Sequence, residues 1–180
     1  MTPAPARIAA LAGALLLAAA SPDLPLPPGP VPAGLPGGTV VHATAVEALL
    51  RNGGVVLVDV AEIPRRPATL AAGAPWLPPE HRDIPGSVWI PGAGRSPVPP
   101  ELERYFRERL AALTAGSADR PIVLYCHPNC WGSWIAARRA QAYGYRNVFW
   151  YPDGIEGWQD AHLPTAPAVP EGPAGPTTNR

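Results

Sequence analysis

The chain has 180 residues, 47% apolar and only 16% charged, with 27 prolines and two cysteines. Fourteen acidic residues balance fourteen basic ones, and every basic residue is arginine. This leaves room for one ordinary core, and the absence of any block of like charge argues against nucleic acid or an anionic membrane as partner.

Residues 1–20 read as a secretory signal peptide. Arg7 supplies a weak n-region, residues 8–17 an apolar Ala/Leu stretch, and residues 18–20 a small-residue cleavage site before Ser21. The apolar run is shorter than the ~20 residues a spanning helix needs, so the expectation is export to a periplasm, with no membrane association after cleavage. Proline is concentrated in 21–38 and 164–180, which lack hydrophobic periodicity. These are expected to be an extended Pro-rich linker and a disordered Pro-rich tail around one domain at 39–163.

Inside that domain, short apolar runs at 39–41, 55–60, 88–90, 122–125 and 148–151 alternate with helical or loop segments. The pattern predicts an α/β fold, an open parallel sheet of about five strands with helices on both faces. A first helix is expected over 44–51, with Thr44 as N-cap and a stop at Asn52, Gly53 and Gly54. A second is expected over 101–113, where Leu102, Phe106, Leu110 and Leu113 form one core stripe and Pro100 suits the first turn. Between them, 63–83 holds too much proline for a regular helix and reads as a surface insertion, with Trp76 placed to pack over a neighbouring cleft.

Chemistry is expected where the strand at 121–125 gives way to a helix at 132–143. Both cysteines of the chain lie in this turn, Cys126 and Cys130, with His127, Pro128, Asn129, Trp131 and Gly132 around them. Unpaired N–H groups and partial positive charge at a helix start stabilise a thiolate there. In an oxidising compartment the pair has three uses: a disulfide, a nucleophile with its resolving partner, or a soft-metal site for Cu(I) or zinc. Asp59 ends a strand at the same expected sheet edge, where it caps the structure or orients the loop. Arg138 and Arg139 read as solvated, and His42, His81 and His162 show no ligand spacing. Trp134 and Trp158 are expected in the core, and Trp131 facing a ligand or partner.

Several segments in chain order resemble the rhodanese superfamily: Leu57-Val58-Asp59-Val60, Asp83-Ile84-Pro85-Gly86, Leu124-Tyr125-Cys126, Gly144-Tyr145-Arg146-Asn147-Val148, and Gly154-Ile155-Glu156-Gly157-Trp158. A narrower likeness is carried by Tyr125, Cys126, Cys130, Trp131 and Trp134, then Tyr143-Gly144-Tyr145 and Trp150-Tyr151-Pro152-Asp153-Gly154. That set is similar to the exported, rhodanese-like CXXCW-motif proteins associated with pyrroloquinoline-quinone (PQQ)-dependent catabolism, although three residues separate the cysteines here.

The resemblance implies Cys126 as the catalytic nucleophile that carries a persulfide, with His127, Pro128, Asn129, Trp131, Gly132 and Asp59 as the substrate-binding loop; Cys130 departs from the family pattern and is read from its spacing as a second catalytic cysteine that resolves the first. It implies a small sulfur donor, and a periplasmic quinoprotein dehydrogenase or cytochrome c as partner. No cofactor is expected in this chain; PQQ enters by pathway association alone. Active rhodaneses place cations after the cysteine and at the loop end, positions held here by His127 and Trp131, so thiosulfate is an unfavourable donor. Two alternatives stand beside sulfur transfer or thiol redox chemistry: a non-catalytic binding or assembly module, and a Cu(I) site at Cys126 and Cys130.

Overall fold

A computed structural model describes residues 29–173. Its main sheet has five strands, β1 (Thr39–Val40), β2 (Val56–Asp59), β4 (Val88–Trp89), β5 (Ile122–Tyr125) and β6 (Val148–Tyr151), in the order β1-β6-β5-β2-β4 and parallel throughout. Two short strands, β3 (Arg82–Asp83) and β7 (Ala166–Pro167), pair antiparallel beside it. The helices are α1 (Ala43–Asn52), α2 (Pro100–Leu113), α3 (Trp131–Ala142) and α4 (Gly154–Asp160).

Every residue of β2 and β5 is buried, which is why both read as apolar runs rather than alternating ones, broken only by Asp59 at the end of β2. Side chains still alternate between faces along each strand. Val56, Val58, Ile122 and Leu124 join Phe106 and Leu110 of α2 and Ala136 and Ala137 of α3 in one core. Leu57, Val123, Tyr125 and Tyr151 join Val46 of α1 and Trp158 of α4 in the other. The expected strands, the α2 stripe and the helices on both faces are therefore present.

Local differences have local causes. Helix α1 begins one residue early, capped by extended His42 rather than by Thr44; it ends as expected, at Gly53 with φ 73° and Gly54 with φ 78°. The Gly154–Trp158 motif is itself a helix, α4.

Packed structure also extends past both expected domain ends. Before β1, Leu35 is buried in the first core, while the carbonyls of Gly34 and Pro36 accept hydrogen bonds from Trp134, Arg138 and Gln141 of α3. After α4, β7 pairs with β3, and Glu171 donates its N–H to the Trp89 carbonyl at 2.8 Å. Proline removes a donor but keeps its carbonyl, so a proline-rich segment can dock without forming regular structure. The segments expected to be a signal peptide (1–20), part of the linker (21–28) and part of the tail (174–180) lie outside the described residues. Among the described residues no helix is long and apolar enough to cross a membrane.

The carboxylate of Glu171 holds the tail down, accepting from Arg109 Nε at 2.6 Å, Arg109 Nη2 at 3.0 Å and Tyr105 at 3.1 Å. Arg109 beside it lowers its pKa. Stability from this pair is present above the ordinary carboxylate pKa and fades as pH falls through the lowered folded value. Both side chains are about one-third exposed, at 31% and 36%. Solvent screening therefore limits the loss in Glu171→Ala to about 1 kcal/mol near neutral pH, read from the urea midpoint.

Candidate active site

The register of the sheet places the site. Asp59 pairs with Tyr125 and with Trp89, and Tyr125 pairs with Tyr151, so β2, β4, β5 and β6 end together at one edge. Cys126 is the next residue on the central strand, at the carboxyl edge where parallel α/β sheets bind ligands. The turn closes through Asn129 at φ 56° into Cys130, the N-cap of α3. Trp131 is thus the first residue of the helix rather than the last of the loop.

Two glycines clamp this turn. A Cβ on Gly94 would lie 1.9 Å from the Gly132 carbonyl oxygen, so the 91–95 turn can pass the start of α3 only as bare backbone. Gly154, at φ 61°, lets α4 approach the other side; a Cβ there would lie 2.4 Å from the Cys126 oxygen, which accepts the Ile155 N–H at 2.9 Å. Arg139 is 2% exposed and donates to the carbonyls of Ala93 and Arg95, holding the 91–95 turn against α3. It is a buried tie, contrary to the solvated role expected for it. Helix α3 is covered on more than one side, which turns an apparently outward position inward.

Both cysteines are free thiols with unequal surroundings. Cys126 is 0% exposed, whereas Cys130 is half-buried. Hydrogen bonding from Cys126 lowers the pKa of Cys130 to about 6 against the opposing cost of burial, helped by the amides of Gly132, Ser133 and His127. The same contact, with burial, pushes the Cys126 thiol far up. The half-buried Cys130 is thus the more easily deprotonated thiol of the pair, while the Cys126 S–H lies 3.6 Å from the His127 carbonyl.

His127, Pro128 and Asn129 are exposed. His127 Nδ1 lies 2.7 Å from Glu156. One cavity of about 260 Å³ is lined by His127, Glu156, His81, Arg82 and Glu62. A second, of about 400 Å³, is lined by Pro128, Asn129, His42, Asp153 and Trp150. The turn thus faces a cavity on either side. Trp131 lines neither; it packs edge-on against Trp134 at 5.5 Å. Trp76 does not line the first cavity, to which the long insertion contributes Pro64, Pro79, Glu80, His81 and Arg82. Trp158 is core as expected, and Trp134 is only partly buried.

Asp59 belongs to a different group from the cysteine turn. It accepts the Ala61 N–H at 2.7 Å and pairs with His81 Nε2 at 2.9 Å. The same nitrogen lies 3.0 Å from Asp83 Oδ1. The His81 ring stacks on Trp89 at 3.7 Å, and Trp89 donates to the Ala61 carbonyl at 2.8 Å. Burial, partly offset by His81, raises the Asp59 carboxyl to about 6. Burial alone would lower the His81 imidazolium, but the adjacent Asp59 and Asp83 outweigh it and hold the group at about 9. His81 and Asp59 are 22 positions apart, and no sequence spacing joins them. Asp83 had a visible signal only as the first residue of the Asp83-Ile84-Pro85-Gly86 segment.

Residues 42–161 match the rhodanese-like domain family. The chain belongs to that family. No curated protein sequence matches it. Among solved structures, this rhodanese-like domain is similar to the 3-mercaptopyruvate sulfotransferase SseA of Escherichia coli, at 18% identity and TM-score 0.50 over 76% of this chain and 54% of that one. It thus spans about half of the Escherichia coli protein. A protein from Bacillus halodurans aligns at 23% identity and TM-score 0.48, covering 72% of this chain and 77% of its own. The polysulfide-sulfur transferase homodimer of Wolinella succinogenes aligns at 16% identity and TM-score 0.44, over 79% and 85%. At these identities the likeness concerns the fold alone.

Proposed function

We propose that this rhodanese-like protein moves sulfane sulfur through the Cys126–Cys130 pair, with Cys130 as the attacking atom. The observation that carries this reading is the unequal pair, a half-buried Cys130 at the start of α3, with its pKa lowered, beside a fully buried Cys126. The Cys130 thiolate attacks the terminal sulfur of an organic persulfide, R–S–SH. The S–S bond breaks, R–S⁻ leaves with the electron pair, and Cys130–S–SH remains. Two exits balance. An acceptor thiolate takes the terminal sulfur and restores the Cys130 thiolate. Alternatively, Cys126 attacks the inner sulfur, forming the Cys126–Cys130 disulfide and releasing the sulfane sulfur as H₂S. The second exit oxidises two thiols and reduces one sulfur, and an external dithiol resets the pair.

Neither cysteine lines the first cavity, but His127 of the same turn does, and the charges around it bear on the choice of donor. His127 is paired with Glu156, Arg82 with Glu80, and Glu62 lines the same space. No cation stands at the loop end, where Trp131 sits. Monoanionic persulfides are therefore favoured over dianionic thiosulfate. Incubating the reduced protein with cysteine persulfide should add one sulfur, seen in the intact mass; no adduct from any sulfur donor, with the thiol shown to be accessible, would count against the proposal. Trp131→Arg should raise thiosulfate-to-cyanide transfer by about tenfold, the worth of one charge-assisted hydrogen bond.

The setting we propose is the periplasm, beside PQQ-dependent alcohol oxidation and its dehydrogenase or cytochrome c. The likeness of the Cys126–Trp134 and Trp150–Gly154 segments to the CXXCW-motif proteins supports it. The double variant Cys126→Ser, Cys130→Ser should fail to restore growth on alcohol in a deletion strain. Restoration would transfer the role to a non-catalytic assembly surface.

A further inference from the structure

We propose that Asp59, His81 and Asp83 form a binding site for one borderline divalent metal ion of the Zn²⁺ type. Oδ of Asp59, Nε2 of His81 and Oδ of Asp83 lie within 4.8 Å of one another. The three side chains are 0%, 11% and 4% exposed. They come from the end of β2, the close of the long insertion and β3, so the fold gathers them from separate segments.

The arrangement leaves an unmet demand. Nε2 carries at most one hydrogen, and it is directed to Asp59 at 2.9 Å. Neither carboxylate oxygen of Asp83 accepts a hydrogen bond among the described residues, although the side chain is buried. A buried carboxylate without a hydrogen-bond donor is costly, and here Asp83 shares its one imidazole neighbour with the carboxylate of Asp59. A divalent ion would displace the Nε2 proton to solvent, meet all three ligand atoms at once and balance both carboxylates. Tetrahedral arms of ~2.1 Å place neighbouring ligands ~3.4 Å apart, close to the present 2.9 and 3.0 Å contacts. One imidazole with two carboxylates suits a borderline ion better than a soft one.

The outer parts of such a site are also in place. Ala61 N–H fixes Asp59, and the Trp89 ring holds the imidazole plane. His81 lines the cavity of about 260 Å³ that also holds His127 and Glu156, which gives an ion a path from solvent.

The full chain carrying Cys126→Ser and Cys130→Ser removes the thiols as competing ligands. Titrated with Zn²⁺ against a chromophoric chelator, it should bind one ion per chain, with affinity falling at least tenfold in added Asp83→Asn and again in added His81→Gln. Absence of binding at micromolar Zn²⁺, or binding unchanged by both substitutions, would overturn the site. Because either substitution can disturb folding, Co²⁺ provides a second reading on the parent protein. Bound Co²⁺ should show visible absorption beyond that of the aqua ion without thiolate charge-transfer bands, and a spectrum identical to free Co²⁺ would also overturn it.

Discussion

Cys130→Ser removes sulfur uptake, on the order of a thousandfold or more, whereas Cys126→Ser keeps the first transfer and loses the release of H₂S. In Cys126→Ser the persulfide accumulates on Cys130, and intact-mass and peptide measurements find it there. The opposite pattern follows if Cys126, at the position where the family places its nucleophile, makes the attack. The physical ground is access and charge. Cys126 has no exposed surface, and burial together with Cys130 pushes its pKa up. Cys130 is partly open, and its pKa of about 6 makes it mostly thiolate at pH 7. Its alkylation rate should therefore be nearly flat above pH 7 and fall about tenfold per pH unit well below 6. Cys126→Ala, which deletes the S–H donor, should move that midpoint upward.

Gly94→Ala should destabilise the protein by about 3 kcal/mol or more and blunt the reactivity of Cys130 in the same step. An added Cβ would overlap the Gly132 carbonyl oxygen at 1.9 Å, and both sides of that contact are backbone. Relief requires moving the 91–95 turn, which Arg139 ties to α3, or moving the start of α3, which carries the amides around Cys130. For a domain of this size the loss corresponds to roughly 10 °C in Tm. Gly34→Ala is the control. Gly34 has no atom within 4 Å of its Cβ position and no positive φ, so its change should stay within about 0.5 kcal/mol. A Gly94→Ala protein with wild-type Tm and alkylation rate would remove the clamp from the account.

The sheet was legible because burial on both faces forces β2 and β5 to be apolar at every position but the last of β2, and the exception, Asp59, marks the functional edge. The cysteine turn was legible for a similar reason, since a strand running into a helix leaves amides that suit an anion. Sequence order could not show which thiol faces solvent. That depends on Gly94 and Gly154 bringing distant backbone against the turn, and it places Cys126 under cover while Cys130 takes the helix start. The docked segments around Leu35 and Glu171 were hidden because high proline content signals missing regular structure, not missing contacts. Asp59, His81 and Asp83 are joined by folding alone, and Arg139 reads as a surface residue until the 91–95 turn closes over it.

Substoichiometric alkylation of the fully reduced protein at pH 7, with the modified residue located by peptide mapping, decides which cysteine attacks. Carbamidomethyl should appear at Cys130, with Cys126 intact, in the first fraction to react. Modification of Cys126 first, or of both cysteines at equal rates, would contradict attack by Cys130.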